Sequence, residues 1–377
     1  MRVCDVVLNS IWADPRVRKQ IVEYQNNNID VCCVGLKDQR YNEEKISLIP
    51  CPVQLVEIPE KLKGRLSSPF KKLKREKIVQ KAVEKAIIAT NPDVIHANDL
   101  NALIPSYQAA KKLKCRLVYD SHEIYIENHT IAPQKLYRTY LKNQERYIVK
   151  RVDKMVCVSH AASEYFSSFY RIDPPMVITN CSIKAEQYIS YEKHLSFEVL
   201  NHGQFYEGRG YDIMIEASKL LMDYPEVRIA LRGYGVLEES LKSRAKELNA
   251  NNVVFHPPVL VQDLIPAASK SMVGVAITEP TCLNFKLSVS NKLFEYASAG
   301  LPVIMSDIPE HRYLNDKYKF GIIIKENTPK AFADAVIKLY TDKALYQSCA
   351  TNAKILSEEI NWENEFNKLI EFERSII

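Results

Sequence analysis

The chain has 377 residues, about two to three times the length of an ordinary single domain, and its 46% apolar share is enough to fill two cores. With 26% charged residues and only 10 glycines, the disordered, collagen-like and low-complexity classes are excluded. The net charge of +5 hides an asymmetry: residues 1–180 carry 29 Lys and Arg against 20 Asp and Glu, and the remainder carries 22 against 26, so the first half is expected to face an anionic partner.

Arg2–Leu8 is a short β-rich run, and Asp14-Pro15 then supplies an N-cap with a proline at the first helical position, followed by Val17, Ile21 and Tyr24 on one helical face. Asp30–Leu36 is the next strand. Apolar runs at Val53–Ile58, Val94–His96, Arg116–Tyr119, Met155–Val158 and Met176–Thr179 follow, separated by helix-length segments. This alternation is a βαβ series and predicts a parallel sheet covered on both faces. After the polar stretch Ser182–Ser196 the alternation restarts, with strands expected at Phe197–Asn201, Val227–Leu231, Val253–Phe255, Val273–Ile277, Pro302–Ser306 and Gly321–Ile324. Three helical segments close the sequence, the last around Trp362–Ser375. The expectation is an α/β protein of two Rossmann-like, doubly wound domains, 1–182 and 183–377, facing a central cleft, with the final helix free to pack back on the first domain.

No uncharged apolar run of about eighteen residues occurs, and the first residues enter a strand pattern directly, so the chain reads as cytoplasmic, neither secreted nor membrane-spanning. The nine cysteines are odd in number and show no CxxC spacing, which points to reduced core residues rather than zinc or redox work.

Two segments of the second half carry chemistry. In NHGQFYEGRGYDIMIEASKLL, the residues Gly208, Arg209 and Gly210 stand immediately before a helix. A helix N-terminus offers free N–H groups, glycines let an anion approach, and an arginine fork matches phosphate oxygens. The same residues also fit an ordinary glycine turn with a solvated arginine. In SVSNKLFEYASAGLPVIMSD, Ser290 or Asn291 caps a short helix, Glu295 lies one turn inside it, and Gly300 ends it. A carboxylate so placed accepts both hydroxyls of a ribose, although a solvated glutamate on a capped helix has the same pattern. In the first half, DVIHANDL and VYDSHE put His96, Asp99, Asp120, His122 and Glu123 at strand carboxyl ends, where open α/β sheets bind ligands. Neither a serine triad nor an HExxH metal motif is present.

The run NKLFEYASAGLPVI with Glu279-Pro280 before it, the opening GQFYEGRG, and PDVIHAND with VYDSHE resemble the family-4 retaining glycosyltransferases of the GT-B fold, in order and spacing, over nearly the whole chain. The resemblance implies that Glu295 binds the donor ribose, that Arg209 binds the donor pyrophosphate, and that His122 contacts the transferred sugar. The donor-binding set is then Gly203, Arg209, Gly210, Arg232, Asn291, Lys292 and Glu295, and the catalytic set is His122, Arg209, Glu279 and Asp99. Many relatives carry a first glutamate eight residues before the ribose-binding one, where this sequence has Leu287; Glu279 or the backbone amides of Leu283 and Asn284 are the candidates for that sugar contact. No protein nucleophile, cofactor or metal ion is implied. Leaving-group charge would be met by Arg209, Lys286 or Lys292, and helix N-termini.

The expected reaction moves a hexose or N-acetylhexosamine from a nucleotide-sugar, UDP ahead of GDP, to an oligosaccharide or lipid-linked acceptor lying near Asn9–Arg18. A sugar-nucleotide epimerase, or a catalytically silent glycan- or partner-binding protein, are the alternatives. Lys61–Lys77 holds eight basic residues and one acidic one, interleaved with Leu62, Leu66, Phe70 and Leu73, and fits an anionic membrane surface or a solvated helix. Nucleic acid is not expected as a partner, because no recognised motif accompanies the charge.

Overall fold

A computed structural model describes residues 1–9, 11–37, 48–58, 69–184 and 196–377, the side chains of 13 and 69–72 excepted. The chain divides into two compact units, Met1–Thr179 with Glu365–Ile377, and Asn180–Asn364.

The first unit is built on a sheet of seven strands: β1 (Arg2–Val7), β2 (Asp30–Leu36), β3 (Val53–Val56), β4 (Val94–Asn98), β5 (Arg116–Ser121), β6 (Lys154–Cys157) and β7 (Met176–Val177), in the order β3-β2-β1-β4-β5-β6-β7. Every pairing is parallel, with Val3 opposite Val31 and Val94. The strands read as apolar runs because both faces are covered. Asp14 caps the helix Pro15–Asn26 by accepting from the Arg16 amide at 3.0 Å, as the Asp-Pro pair predicts, and buries Val17, Ile21 and Tyr24 beneath it. The helix His160–Tyr170 is capped the same way, Ser159 accepting from the Ala162 amide at 3.1 Å. The final helix, Trp362–Arg374, places Phe366, Leu369 and Ile370 out of solvent in this unit from Glu365 onward. Phe366 meets the Tyr24 ring edge-on at 4.9 Å, and Glu365 accepts from the Thr179 amide at 2.7 Å.

The second unit has six parallel strands: β8 (Phe197–Gln204), β9 (Val227–Tyr234), β10 (Val253–His256), β11 (Val273–Ala276), β12 (Val303–Ser306) and β13 (Gly321–Ile324), in the order β10-β9-β8-β11-β12-β13. Both units therefore show the reversal of strand order that defines a doubly wound fold. Strands β8 and β9 run three residues past their apolar stretches, pairing His202 with Arg232, Gly203 with Gly233 and Gln204 with Tyr234. The ladder continues because hydrogen bonding between backbones does not require apolar side chains. Gly233 permits it: a Cβ there would lie 1.8 Å from the Gly203 carbonyl oxygen.

Tyr296, buried on the helix Asn291–Ser298, lies across Gly274 of β11, so that a Cβ at Gly274 would come within 2.2 Å of its ring. The Tyr296 hydroxyl accepts from the His202 amide at 2.9 Å and so ties this helix to the end of β8. Gly274→Ala is expected to destabilise the protein by about 1–3 kcal/mol through overpacking. A thermal melt measures this, and an unchanged midpoint would refute the packing argument.

Candidate functional site

In the second unit the carboxyl end of β8, the turn after it and the start of the helix Asn291–Ser298 enclose a cavity of about 300 Å³. It is lined by His202, Gly203, Gln204, Tyr206, Arg209, Leu264, Val289, Ser290, Asn291, Lys292 and Glu295. Five of the residues expected at a donor site, Gly203, Arg209, Asn291, Lys292 and Glu295, thus share one pocket.

The two cations are positioned by neighbours that the sequence does not announce. The Arg209 guanidinium lies between the rings of Tyr206, at 4.9 Å, and Phe285, at 5.2 Å, and donates to the Tyr206 hydroxyl. Phe285 belongs to the short helix Leu283–Leu287, which follows Glu279. Lys292 crosses Gly203, whose φ of 127° suits only glycine and whose missing Cβ would stand 3.4 Å from the lysine Cε. The ammonium donates to Asn201 Oδ1 at 2.6 Å, while Asn201 Nδ2 donates to the Arg209 carbonyl at 3.2 Å. Asn201 thereby fixes both the lysine and the backbone of the arginine turn. Burial pushes Lys292 down to about 7, and the Arg209 charge adds to that against the opposing pull of Glu295. An anion between the two cations would restore the lysine's charge.

Glu295 accepts from His202 Nε2 at 2.7 Å, and His202 stacks on Tyr296 with ring centroids 4.5 Å apart. The carboxylate is thus oriented at the pocket wall by the imidazole. Ser290 makes no side-chain cap at the start of this helix, whose Leu293 amide instead donates to the Ser290 carbonyl at 3.1 Å.

The other expected residues of this unit, Gly210, Arg232 and Glu279, stand outside that lining. Gly210 caps the helix Tyr211–Ala217 with φ 71°, and a Cβ there would meet Ile277 at 2.4 Å. Its missing side chain serves packing, and it does not line the pocket. The open glycine of the turn is Gly208, where a Cβ would meet nothing closer than 3.8 Å. Arg232 donates to the Pro257 carbonyl at 3.3 Å and does not line the pocket. Glu279 donates its amide to the Gly208 carbonyl at 3.0 Å and braces the turn through the backbone, with its side chain outside the pocket lining.

In the first unit, β4 and β5 bring a buried polar group together. Asp120 Oδ2 lies 3.1 Å from His96 Nε2, 3.0 Å from His122 Nε2, and accepts from Gln20 Nε2 at 3.1 Å. Burial works against its charge, but the two imidazoles outweigh that and hold its carboxyl below the usual carboxylate range. Asp99 accepts from the His122 amide at 3.0 Å and adopts a left-handed φ of 65°, a conformation costly for residues with a Cβ. Arg16 lies 3.9 Å from Asp99 and 2.7 Å from Asp14, which also accepts from Asn9 at 2.8 Å. Asp99 and His122 are therefore coupled directly. Asp14 and Arg16 belong to the segment Asn9–Arg18 expected near the acceptor, while Gln20, and Glu373 at 2.8 Å from His96 Nδ1, escaped the sequence reading because their approach is tertiary. Of the basic stretch Lys61–Lys77, residues 61–68 lie outside the described residues, and the rest opens the helix Pro69–Thr90. Among the described residues no helix is long and apolar enough to cross a membrane.

Residues 196–342 match the family model described as glycosyl transferases group 1, and residues 20–186 match glycosyltransferase family 4. An uncharacterized glycosyltransferase of Methanocaldococcus jannaschii is 22% identical over 277 residues, covering 68% of each chain. Among solved structures, sucrose-phosphate synthase from Thermosynechococcus elongatus superposes with a TM-score of 0.79 at 14% identity, covering 100% of this chain and 99% of that one. HepE from Anabaena in complex with UDP-glucose gives 0.74 at 16% identity over the whole of both chains. With both halves of the sequence matched and two Rossmann-like sheets in place, the chain belongs to the family-4, group 1 glycosyltransferases of the GT-B fold, which are retaining hexosyltransferases.

Proposed function

We propose that this glycosyltransferase moves a hexose or N-acetylhexosamine from a UDP-sugar to an oligosaccharide or lipid-linked acceptor in surface polysaccharide or glycoconjugate assembly. The observation that carries the donor half is the pairing of Arg209 and Lys292 with a histidine-held Glu295 in one pocket. Two cations suit a diphosphate, and the carboxylate suits ribose hydroxyls. In the reaction the diphosphate leaves with growing negative charge, and fixed cations stabilise it at no reorganisation cost. His122 and Asp99 are assigned to the transferred sugar, and Glu279 or the amides of Leu283 and Asn284 to its other side. The choice of UDP is supported by HepE, whose structure holds UDP-glucose.

Thermal shift with UDP, GDP and ADP tests the reading. A ligand at about 100 times its Kd raises stability by about 2.7 kcal/mol, and UDP is expected to give the largest shift. If no nucleotide stabilises the protein at millimolar concentration, the donor site is misassigned.

The acceptor half includes contact with an anionic membrane surface. Its support is the basic run and the exposure of Lys74, Lys77 and Ile78 on the helix Pro69–Thr90. Sedimentation with liposomes is expected to pull the protein down only when they contain anionic lipid. Equal recovery in the supernatant with and without that lipid rules the contact out.

A further inference from the structure

The carboxyl ends of β1, β2 and β3 and the helices Pro69–Thr90 and Lys135–Ile148 border a second cavity, of about 260 Å³, in the first unit. More than half of its lining is aliphatic: Leu8 and Leu36 at the strand ends, Val79 on one helix and Leu141 on the other, with Ile104 and Ile131 between. Of the polar lining residues, Tyr137 and Glu76 serve each other, the hydroxyl donating to the carboxylate and joining the two helices. A sugar placed here would set most of its hydroxyls against side chains that neither donate nor accept, and a buried hydroxyl without a partner is costly. A hydrocarbon chain meets the same wall without that cost, and apolar cavities take apolar ligands.

The cavity adjoins the polar group around Asp99 and His122. Leu8 precedes Asn9, which donates to Asp14, and Asn101 and Tyr125 line the cavity two and three residues after Asp99 and His122. Burial above all, and then the charges of Asp99 and Glu123, raise the Tyr125 hydroxyl to about 12, so the two regions are within electrostatic reach. An apolar hollow beside a polar group suits an amphipathic molecule. The same two helices carry exposed apolar side chains, Leu136 at 80% and Ile78 at 39%, among the exposed cations Lys74, Lys77, Lys81 and Lys135. Such a surface complements an anionic head group.

We infer that this cavity holds the hydrocarbon tail of the acceptor, so that the acceptor is a lipid with an anionic head whose sugar end lies toward Asp99 and His122, and not a free oligosaccharide. The tail site is read from the cavity; its role as an acceptor site rests on the proposed transfer reaction.

Calorimetric titration of the full chain with butyl, hexyl, octyl and decyl phosphate, each below its micelle concentration, tests the inference, with inorganic phosphate as the control. Affinity is expected to rise by about fourfold per methylene, the equivalent of about 0.8 kcal/mol for each one buried. Val79→Trp and Leu36→Trp each fill the cavity, displace about two methylenes or more, and are expected to weaken decyl phosphate by about tenfold or more while UDP binding is retained. Farnesyl phosphate, measured beside decyl phosphate, tells an isoprenyl tail from a straight chain by which of them binds tighter. Failure of decyl and farnesyl phosphate to bind overturns the inference, as does equal affinity for butyl and decyl phosphate. Undiminished decyl phosphate binding in both variants, each still binding UDP, overturns it too. A protein that binds UDP but no chain phosphate keeps the transferase reading with a water-soluble acceptor, whereas one that binds chain phosphates but no nucleotide counts against the transferase reading alone.

Discussion

Arg209→Ala is expected to weaken UDP binding by roughly 10- to 150-fold, the equivalent of about 1.5–3 kcal/mol for hydrogen bonds to a charged group. The guanidinium is held in advance by the Tyr206 hydroxyl and by two aromatic faces, so little ordering entropy is lost when a phosphate arrives. Turnover should fall further than binding, by about 10²–10³-fold in kcat, because the leaving diphosphate carries more charge in the transition state than in the bound donor. Arg209→Lys is not expected to rescue either quantity, since an ammonium neither forks onto two oxygens nor stacks between Tyr206 and Phe285. Calorimetric titration with UDP and a donor-hydrolysis or transfer assay measure the two effects separately. Wild-type affinity in a folded Arg209→Ala protein would remove this residue from the diphosphate site.

Proton uptake on nucleotide binding is the second large effect. In the free pocket Lys292 is brought down to about 7, so at pH 8 it is mostly neutral. A diphosphate beside it favours the charged form, and the bound lysine recovers part of the distance to its ordinary value. Binding at pH 8 therefore takes up nearly one proton, and affinity falls as pH rises from about 7 toward the bound-state value, by at most tenfold per unit. Below about pH 7 the lysine is already charged and the slope from this group vanishes. Calorimetry at pH 8 in two buffers of different ionisation enthalpy counts the protons directly. Lys292→Met should abolish the uptake and weaken UDP binding at neutral pH; uptake that persists in that variant assigns the proton elsewhere.

The repeating strand and helix pattern was enough to read both sheets, because parallel strands buried on both faces advertise themselves as apolar runs. The same logic fails at the carboxyl ends of β8 and β9, where His202, Arg232 and their neighbours pair without an apolar signal. His202, which orients Glu295, was hidden for that reason. Arg209, Lys292 and Glu295 were legible because each sits beside a glycine turn or a helix start, features with local signatures. Tyr206 and Phe285 were not, since an aromatic residue in a loop looks the same whether it stacks on a guanidinium or packs into a core. At Gly210 the sequence did not announce that the space of the missing side chain is taken by Ile277. The bond from Arg232 to the Pro257 carbonyl is likewise set by tertiary approach and was not legible.

The final helix places Glu365 to Ile377 in a unit whose other residues end at Thr179, with about 185 residues of the second unit between them in sequence. During synthesis, at roughly 5–20 residues per second, the first sheet emerges long before Phe366, Leu369 and Glu373 exist to cover it. Until then Tyr24 lacks the Phe366 ring and His96 lacks one of its two carboxylate neighbours. The first unit must wait on the ribosome, half-covered, until the whole second unit has been made, so its maturation is coupled to synthesis of Glu365–Ile377, and a chain interrupted before that segment would expose that face to chaperones and proteases.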